Sequence, residues 1–429
     1  MKTTYLLLCL LGIGSVSGAG QTKQPQKIGD FIESTSYNEH RRNATRSLQY
    51  TPDGDDFVCI NGKNRFTRAL YGSHTAFRLE TSDRPVFAAY TKENPKHICF
   101  KLQTSGGTVA LDSTEHCESR YTAGRRSYSL SDPAFGGGSL SITTWALPDK
   151  EGAIWQFNAR NFKEFHPVLL ASISEIRNSK LNRNGDMGAD PADSFEAPLQ
   201  PQQLQSFPVQ IDGTLYILLE NQELRTLTTA EGENLFKKAE AARSETASRI
   251  RIETPDPYFN TLGGTLAMAA DGIWDGEVWL HGAIGWRMPL SGWRAAYTGD
   301  VLGWHDRART HFNAYAASQV TEVPNTFPHP AQDSALHLAR SVKKWGTPQY
   351  SNGYICRNPH RNNQMHHYDM NLCYIDELLW HFKWTGDLDY VRQMWPVITR
   401  HLTWEKLNYD PDNDGLYDAY ACIWASEDR

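Results

Sequence analysis

The stretch Leu372-Cys373-Tyr374-Ile375-Asp376-Glu377-Leu378-Leu379-Trp380-His381-Phe382-Lys383-Trp384-Thr385-Gly386-Asp387-Leu388-Asp389-Tyr390-Val391 spells two helices and the joint between them. Leu372, Ile375, Leu379 and Phe382 recur at three- and four-residue steps, the spacing that places side chains on one face of a 3.6-residue helix. Gly386 stops the first helix, and Val391, Trp395, Ile398 and Leu402 repeat the period on a second. The sequence therefore predicts an αα-hairpin turning at Thr385-Gly386-Asp387. A further joint follows at Asp410-Pro411-Asp412-Asn413-Asp414-Gly415, and successive hairpins of this kind build either a bundle or a closed double ring of helices.

Toward the N-terminus the helical period gives way. Thr254-Pro255-Asp256-Pro257 stops one element and sets the entry of the next, because two prolines so close together exclude a continuous helix. Before it, Glu231 to Ile250 is rich in Ala, Glu, Lys and Arg and reads as an exposed linker helix. From about Asp56 to Leu219 the pattern is that of strands, as in Phe57-Val58-Cys59-Ile60, His97-Ile98-Cys99-Phe100-Lys101-Leu102 and Leu140-Ser141-Ile142-Thr143-Thr144-Trp145. Turn formers such as Asn61-Gly62 and Gly136-Gly137-Gly138 separate several of these runs, and many short strands without amphipathic helices between them imply a β-sandwich. The fold class expected is thus multidomain β + α, with a sandwich over 21–230, a helical linker over 231–255 and a helical domain over 256–429.

The chain opens with Met1-Lys2, an apolar run from Tyr5 to Ile13 and the small-residue stretch Ser15 to Gly20, the order of a secretory signal peptide over 1–20. That predicts a secreted or periplasmic protein. The run is too short to span a bilayer and none like it recurs, so no membrane span is expected. Cys9 lacks the small residues that precede a lipidated cysteine. A net charge of −6 with no compensating Lys/Arg run argues against a nucleic-acid partner. Six cysteines remain past the signal, three in each half, at spacings neither dense nor zinc-like, and are expected mostly as buried thiols. Eleven of the thirteen tryptophans lie from Trp274 onward, so the two halves do different work. The sandwich, poor in tryptophan and without carboxylates among aromatics, is not expected to hold the active site.

In the second half, Asp271-Gly272-Ile273-Trp274-Asp275-Gly276-Glu277-Val278-Trp279 sets carboxylates among tryptophans and glycines. Sugars lay their C–H faces on aromatic rings while carboxylates accept their hydroxyls, so Trp274, Asp275, Glu277 and Trp279 are candidate saccharide contacts. The run from His281 through Trp286 and Arg287 to Trp304 continues the mixture and adds His281, Trp286, Arg287 and Trp304 to the candidates. Trp274, Trp279 and Trp286 are expected to line a cleft rather than fill the core. The cluster His360, His366, His367 and Asp369 lacks metal-ligand spacing; no metal is expected there, and Asp369 is read as a substrate contact or cap. Asp410, Asp412 and Asp414 match the start of a calcium loop, but Ala421 stands where its bidentate Glu belongs, which favours a capping turn. No serine-nucleophile elbow or phosphate-cradling loop occurs, and no cofactor is expected.

With these motifs in view, the chain resembles the six-hairpin glycosidases, the superfamily of glucoamylase-like, trehalase-like and processing-glucosidase-like enzymes, especially the exported ones of polysaccharide-using gut bacteria. The order of sandwich, linker helix, Thr254 to Asn260 and Trp-rich segment is similar to theirs, as are Tyr368 to Leu372, Trp384 to Asp387 and the acidic turn Asp410 to Leu416. The resemblance implies an (α/α) six-hairpin toroid, a carbohydrate substrate and hydrolysis by two carboxylates. It also implies a general acid after the acidic turn, where Ser426-Glu427-Asp428 offers Glu427 and Asp428. A complete toroid needs roughly 350–400 residues by helix and loop lengths, and about 175 follow Pro255. The toroid is therefore expected to be partial, and the chain by itself to be inactive or nearly so. The alternatives are a non-catalytic glycan-binding protein and, last, a polysaccharide lyase, which places the two folds in the opposite order.

Overall fold

A computed structural model describes residues 50–63, 68–91, 95–162, 167–176, 204–282, 287–321, 326–328, 348–350, 352–362, 369–410 and 412–417, all within the compact unit Gln49–Arg429. The signal-peptide segment 1–20, Trp286, His366, His367, Glu427 and Asp428 lie outside the described residues, as does the side chain of Asp369.

The first half is two antiparallel sheets face to face. Eight strands form one: β1 (Thr51–Asp53), β2 (Asp56–Ile60), β8 (His116–Thr122), β9 (Arg125–Ser131), β10 (Ser139–Ala146), β11 (Gly152–Arg160), β14 (Thr214–Glu220) and β15 (Glu223–Leu227), in that order. The other runs β13 (Gln205–Pro208), β12 (Val168–Glu175), β6 (Lys96–Thr104), β5 (Val86–Tyr90), β4 (Arg78–Thr81) and β3 (Arg68–Leu70), with β7 (Gly107–Ala110) hydrogen-bonded to β6. Alternation sets which side chains go inward: Leu140 and Ile142 of β10 are buried while Ser139, Ser141 and Thr143 are not. Between the sheets Phe87 meets Trp155 edge to face at 5.4 Å, and Phe100 meets Phe157 at 5.1 Å. Strand β5 is buried at every position, because Phe87 and Ala89 enter this core while Val86, Ala88 and Tyr90 pack with Ile176 on the opposite face.

Helix α1 (Thr229–Ala247) starts with a capping box, in which the Thr228 side chain accepts from the Glu231 amide and the Glu231 side chain accepts from the Thr228 amide. Composition marks it as exposed, yet it lies on the outer face of the eight-stranded sheet. Trp145 and Phe236 are 4.1 Å apart, and the Trp145 indole donates to Glu240 at 2.8 Å. At Gly232 a Cβ would come within 2.2 Å of the Tyr216 ring, so glycine lets the helix sit this close.

The helical half comprises α2 (Pro257–Asn260), α3 (Leu262–Gly272), α4 (Tyr297–Val301), α5 (His305–Ala316), α6 (Asp369–Thr385) and α7 (Leu388–Tyr409). The α6–α7 joint is as expected: Gly386 adopts φ 63°, and Asp387 caps α7 by accepting from the amides of Asp389 and Tyr390. The face differs by about one residue from the one the period suggests. Buried on α6 are Asn371, Tyr374, Ile375, Leu378 and His381, whereas Leu372 and Leu379 are exposed. On α7, Tyr390, Met394, Ile398 and Trp404 are buried, and Trp395 and Leu402 are exposed. Both helices are apolar on two faces, so periodicity finds a stripe without saying which one the core takes. None of the described helices is long and apolar enough to cross a membrane. Cys59, Cys99 and Cys117 carry free thiols.

Candidate functional site

The acidic loop after α3 is a small hairpin. Trp274 and Trp279 bridge its base, the Asp275 amide donates to the Val278 carbonyl at 3.2 Å, and Gly276 takes φ 100° at the tip. Oδ1 of Asp275 accepts from the amides of Glu277 and Val278 at 3.0 and 2.7 Å, which locks the turn. The indoles of Trp274 and Trp279 point inward, 4.7 Å apart, and are 4% and 0% exposed. Gly299 leaves room for the Trp279 ring, since a Cβ there would meet it at 2.4 Å. Asp275 and Glu277 stay in solvent. The mixture of tryptophan and carboxylate thus reflects a turn that buries its aromatics and exposes its acids. For Trp274 and Trp279 this corrects the expectation of a cleft lining: burying an indole removes a large apolar area from water, which outweighs the closeness of charged neighbours in sequence.

His311 on α5 holds this hairpin from below. The Trp279 amide donates to its Nδ1 at 3.2 Å, which leaves the proton on Nε2. Burial pushes its pKa down to about 3, so the ring is neutral and serves as an acceptor.

Above the end of α5, Nε2 of His360 lies 2.6 Å from Oε1 of Glu277, and the His360 amide donates to the Ala314 carbonyl. Beneath them Tyr315 is fully buried, and its hydroxyl has no hydrogen-bond partner. Its pKa is raised well above the usual value, first by burial and then by the nearby charges of Asp275, Glu377 and Glu277, with Arg357 opposing. Glu377 of α6 is 2% exposed, and its carboxyl is held well above the ordinary range by burial and by Asp376 beside it. Its oxygens make no hydrogen bond of good geometry, although the backbone amides of Arg294 and Ala296 lie near enough to favour the charged form. Burial dominates, because two weakly aligned amides do not replace the water a carboxylate loses. Three carboxyl groups and one arginine therefore act electrostatically on a single buried phenol, and one of those carboxylates, Glu277, is paired with His360.

The remaining candidates sit elsewhere. Trp304, a candidate saccharide contact, is 6% exposed and lies between the guanidinium groups of Arg307 and Arg249, at 4.3 and 5.0 Å. Arg307 also bonds Asp271 at 2.7 Å, and His74 of the sandwich reaches the same oxygen at 3.2 Å. Burial alone would raise the Asp271 carboxyl, but these two hydrogen bonds outweigh it and hold the group below its usual value. His281 is half-buried with its ring 3.8 Å from that of Trp293. Arg287 is half-buried, donates to the Gly272 carbonyl at 3.4 Å and lies within electrostatic reach of Asp275, Tyr71 and Glu151. Asp369 is the first residue of α6. Asp410, Asp412 and Asp414 bring carboxylate oxygens within 4.8 Å of one another, while Asp410 and Asp414 accept from the amides of Gly415 and Leu416, as a capping turn requires.

Of the predicted contacts the structure brings together Asp275 and Glu277, and it adds Tyr315, Arg357, His360 and Glu377. The one sequence signal for Glu377 is a carboxylate set inside the apolar run Tyr374 to Phe382. Nothing local marks Tyr315.

A family profile described as "Domain of unknown function (DUF4450)" matches residues 95–249. The matched stretch begins at β6 and ends just past α1, so it takes in the helix together with β10, β11 and β14, the strands it packs on, but not β1 and β2 of the same sheet. No curated protein matches the chain.

Proposed function

We propose that this is an exported carbohydrate-active protein of the six-hairpin glycosidase kind, which meets a saccharide at the acidic hairpin Asp275–Val278. The observation that carries the reading is the exposed acidic hairpin with Glu277 2.6 Å from His360, whose Asp275 and Glu277 act electrostatically, together with Glu377 and Arg357, on the buried Tyr315. Glycoside hydrolysis calls for one carboxyl group that holds a proton and one that does not. Burial holds the Glu377 carboxyl well above its ordinary range, and Glu277 is exposed with His360 beside it. The toroid belongs to the same proposal. Its support is the second apolar face of α6 and α7, where Trp380, Trp384, Trp395 and Leu402 are exposed, as on helices that pack against neighbours on both sides.

A second reading, glycan binding without hydrolysis, is favoured by the sealing of Glu377, which puts its proton out of a substrate's reach. One experiment separates the two. The full chain is titrated calorimetrically with plant and host oligosaccharides, and reducing ends are assayed in parallel. Binding that weakens at least about tenfold in Asp275→Asn and Glu277→Gln, with melting temperature unchanged, supports the site. Sugar release that also falls about 10²–10⁴-fold in Glu277→Gln makes it an enzyme. Glycan binding indifferent to both substitutions overturns the assignment.

A further inference from the structure

A cavity of about 330 Å³ lies in the sandwich half, lined by Phe77, Leu219, Lys96, Glu151, Asn221 and Gln222 among others. This is the lower end of the ~300–1,000 Å³ range of small-ligand sites, a size for one ring rather than an extended chain. Phe77 and Leu219, 4% and 3% exposed, supply an apolar floor. Asn221, Gln222 and Thr91, residues that carry amide and hydroxyl groups, are also among its lining. Side-chain amides and hydroxyls both donate and accept, which suits a ligand whose own groups do both.

Its charges discourage an anion. The Lys96 ammonium is already paired with Glu175, and Glu151 has the Arg287 guanidinium within electrostatic reach. An anionic ligand would gain no uncompensated partner here. A neutral polyhydroxylated ring fits, with its C–H face on the floor and its hydroxyls on the amides.

The turn that closes the cavity carries an independent signal. Asn221 and Gln222 join β14 to β15, where Glu220 pairs with Glu223, and both adopt positive φ, 51° and 64°. A two-residue turn of this kind favours Asn followed by Gly, because the second position is left-handed. The chain instead places Gln222 there, at a conformational cost that glycine would avoid, and Gln222 is one of the residues lining the cavity.

We propose that the sandwich holds a saccharide site of its own, a cavity closed by the Asn221–Gln222 turn that takes one neutral sugar ring. It is separate from the acidic hairpin and does not depend on hydrolysis there. The ring is either a free monosaccharide or the terminal residue of a longer glycan.

The test is saturation-transfer NMR on the full chain with methyl glycosides of common hexoses, pentoses and deoxyhexoses, and with trisaccharides ending in the same sugars. At least one probe should bind at millimolar concentration. Gln222→Gly should weaken that binding about tenfold or more while the melting temperature stays the same or rises, because the turn loses strain as the site loses a contact. Glu151→Gln should weaken it too. Equal affinity for the methyl glycoside and the trisaccharide identifies a single-ring ligand; tighter binding of the trisaccharide identifies a chain end. No binding across the panel, or binding untouched by both cavity substitutions, overturns the proposal. Binding lost only in Glu277→Gln would assign the sugar to the acidic hairpin and likewise overturn it.

Discussion

Glu80 makes the stability of this protein depend on pH in a direction opposite to that of most carboxylates. It lies on β4, where all four residues are buried, and is itself 4% exposed. Its nearest cation, Arg78, has Nε 3.8 Å from Oε1, too far for a hydrogen bond, and neither atom has another partner. Burial therefore wins over the attraction of Arg78, and the carboxyl is raised from 4.5 to about 7. A group whose folded pKa lies above its unfolded one adds stability that is fully present below the unfolded value and lost as pH rises through the folded value. The window here runs from about pH 4.5 to a little above pH 7. A displacement of roughly 2.5 units at ~1.4 kcal/mol each comes to about 3 kcal/mol.

The assay is urea unfolding of the full chain at intervals from pH 4.5 to 8, wild type against Glu80→Gln. The amide keeps the shape of the side chain and removes its titration, and every other ionisable group cancels in the difference. Relative to the variant, the wild type should lose about 3 kcal/mol across the window. A difference that stays flat, or one in which the wild type gains stability as pH rises, would mean that Glu80 is ionised and truly paired with Arg78, and the argument from burial would be wrong.

Two further substitutions probe the helical half. Trp279→Ala should cost about 3–5 kcal/mol in unfolding free energy, because the ring is fully buried against Trp274, His311 and Gly299; a small stability loss with a selective loss of glycan binding would return Trp279 to a cleft. Gly386→Ala should cost about 1 kcal/mol, since Gly386 is left-handed and a Cβ there meets nothing within 4 Å; a much larger loss of melting temperature would point to an unseen packing role.

What the sequence could show depended on how local the cause was. The α6–α7 joint was legible because a glycine in a left-handed cap and an aspartate N-cap act on their own neighbours. The sandwich was legible because alternation is a property of each strand, as Leu140 and Ile142 show. The buried face of α6 was not, because Leu379 and Leu378 are equally apolar and only the partners decide between them. The tryptophans of the acidic hairpin misled for a related reason: proximity in sequence to Asp275 and Glu277 says nothing about which way a bridge turns each side chain. The group around Tyr315 draws on the loop after α3, the end of α5, the segment near His360 and the middle of α6, about a hundred residues of chain in all. No window of sequence contains it.

Composition and packing also divide the chain at different places. A run of Ala, Glu, Lys and Arg looks like a linker because such residues are content in water, yet α1 lays Phe236 and Ala239 onto a sheet face made by Trp145, Leu147, Ile154, Tyr216 and Leu218. Without the helix those apolar side chains would meet solvent, and an exposed patch of that kind is an aggregation hazard rather than a domain surface. The polar contacts agree, because Glu240 accepts from the Trp145 indole while Arg243 donates to the Ala123 carbonyl. Beyond α1 the sandwich remains tied to the helices through Asp271, which takes His74 from one side and Arg307 from the other, while Arg307 also lies over Trp304. The acidic hairpin begins three residues after that tie. The sandwich therefore fixes the end of α3, the end of α3 fixes where the hairpin emerges, and the placement of Asp275 and Glu277 depends on contacts made by the half of the chain that carries neither.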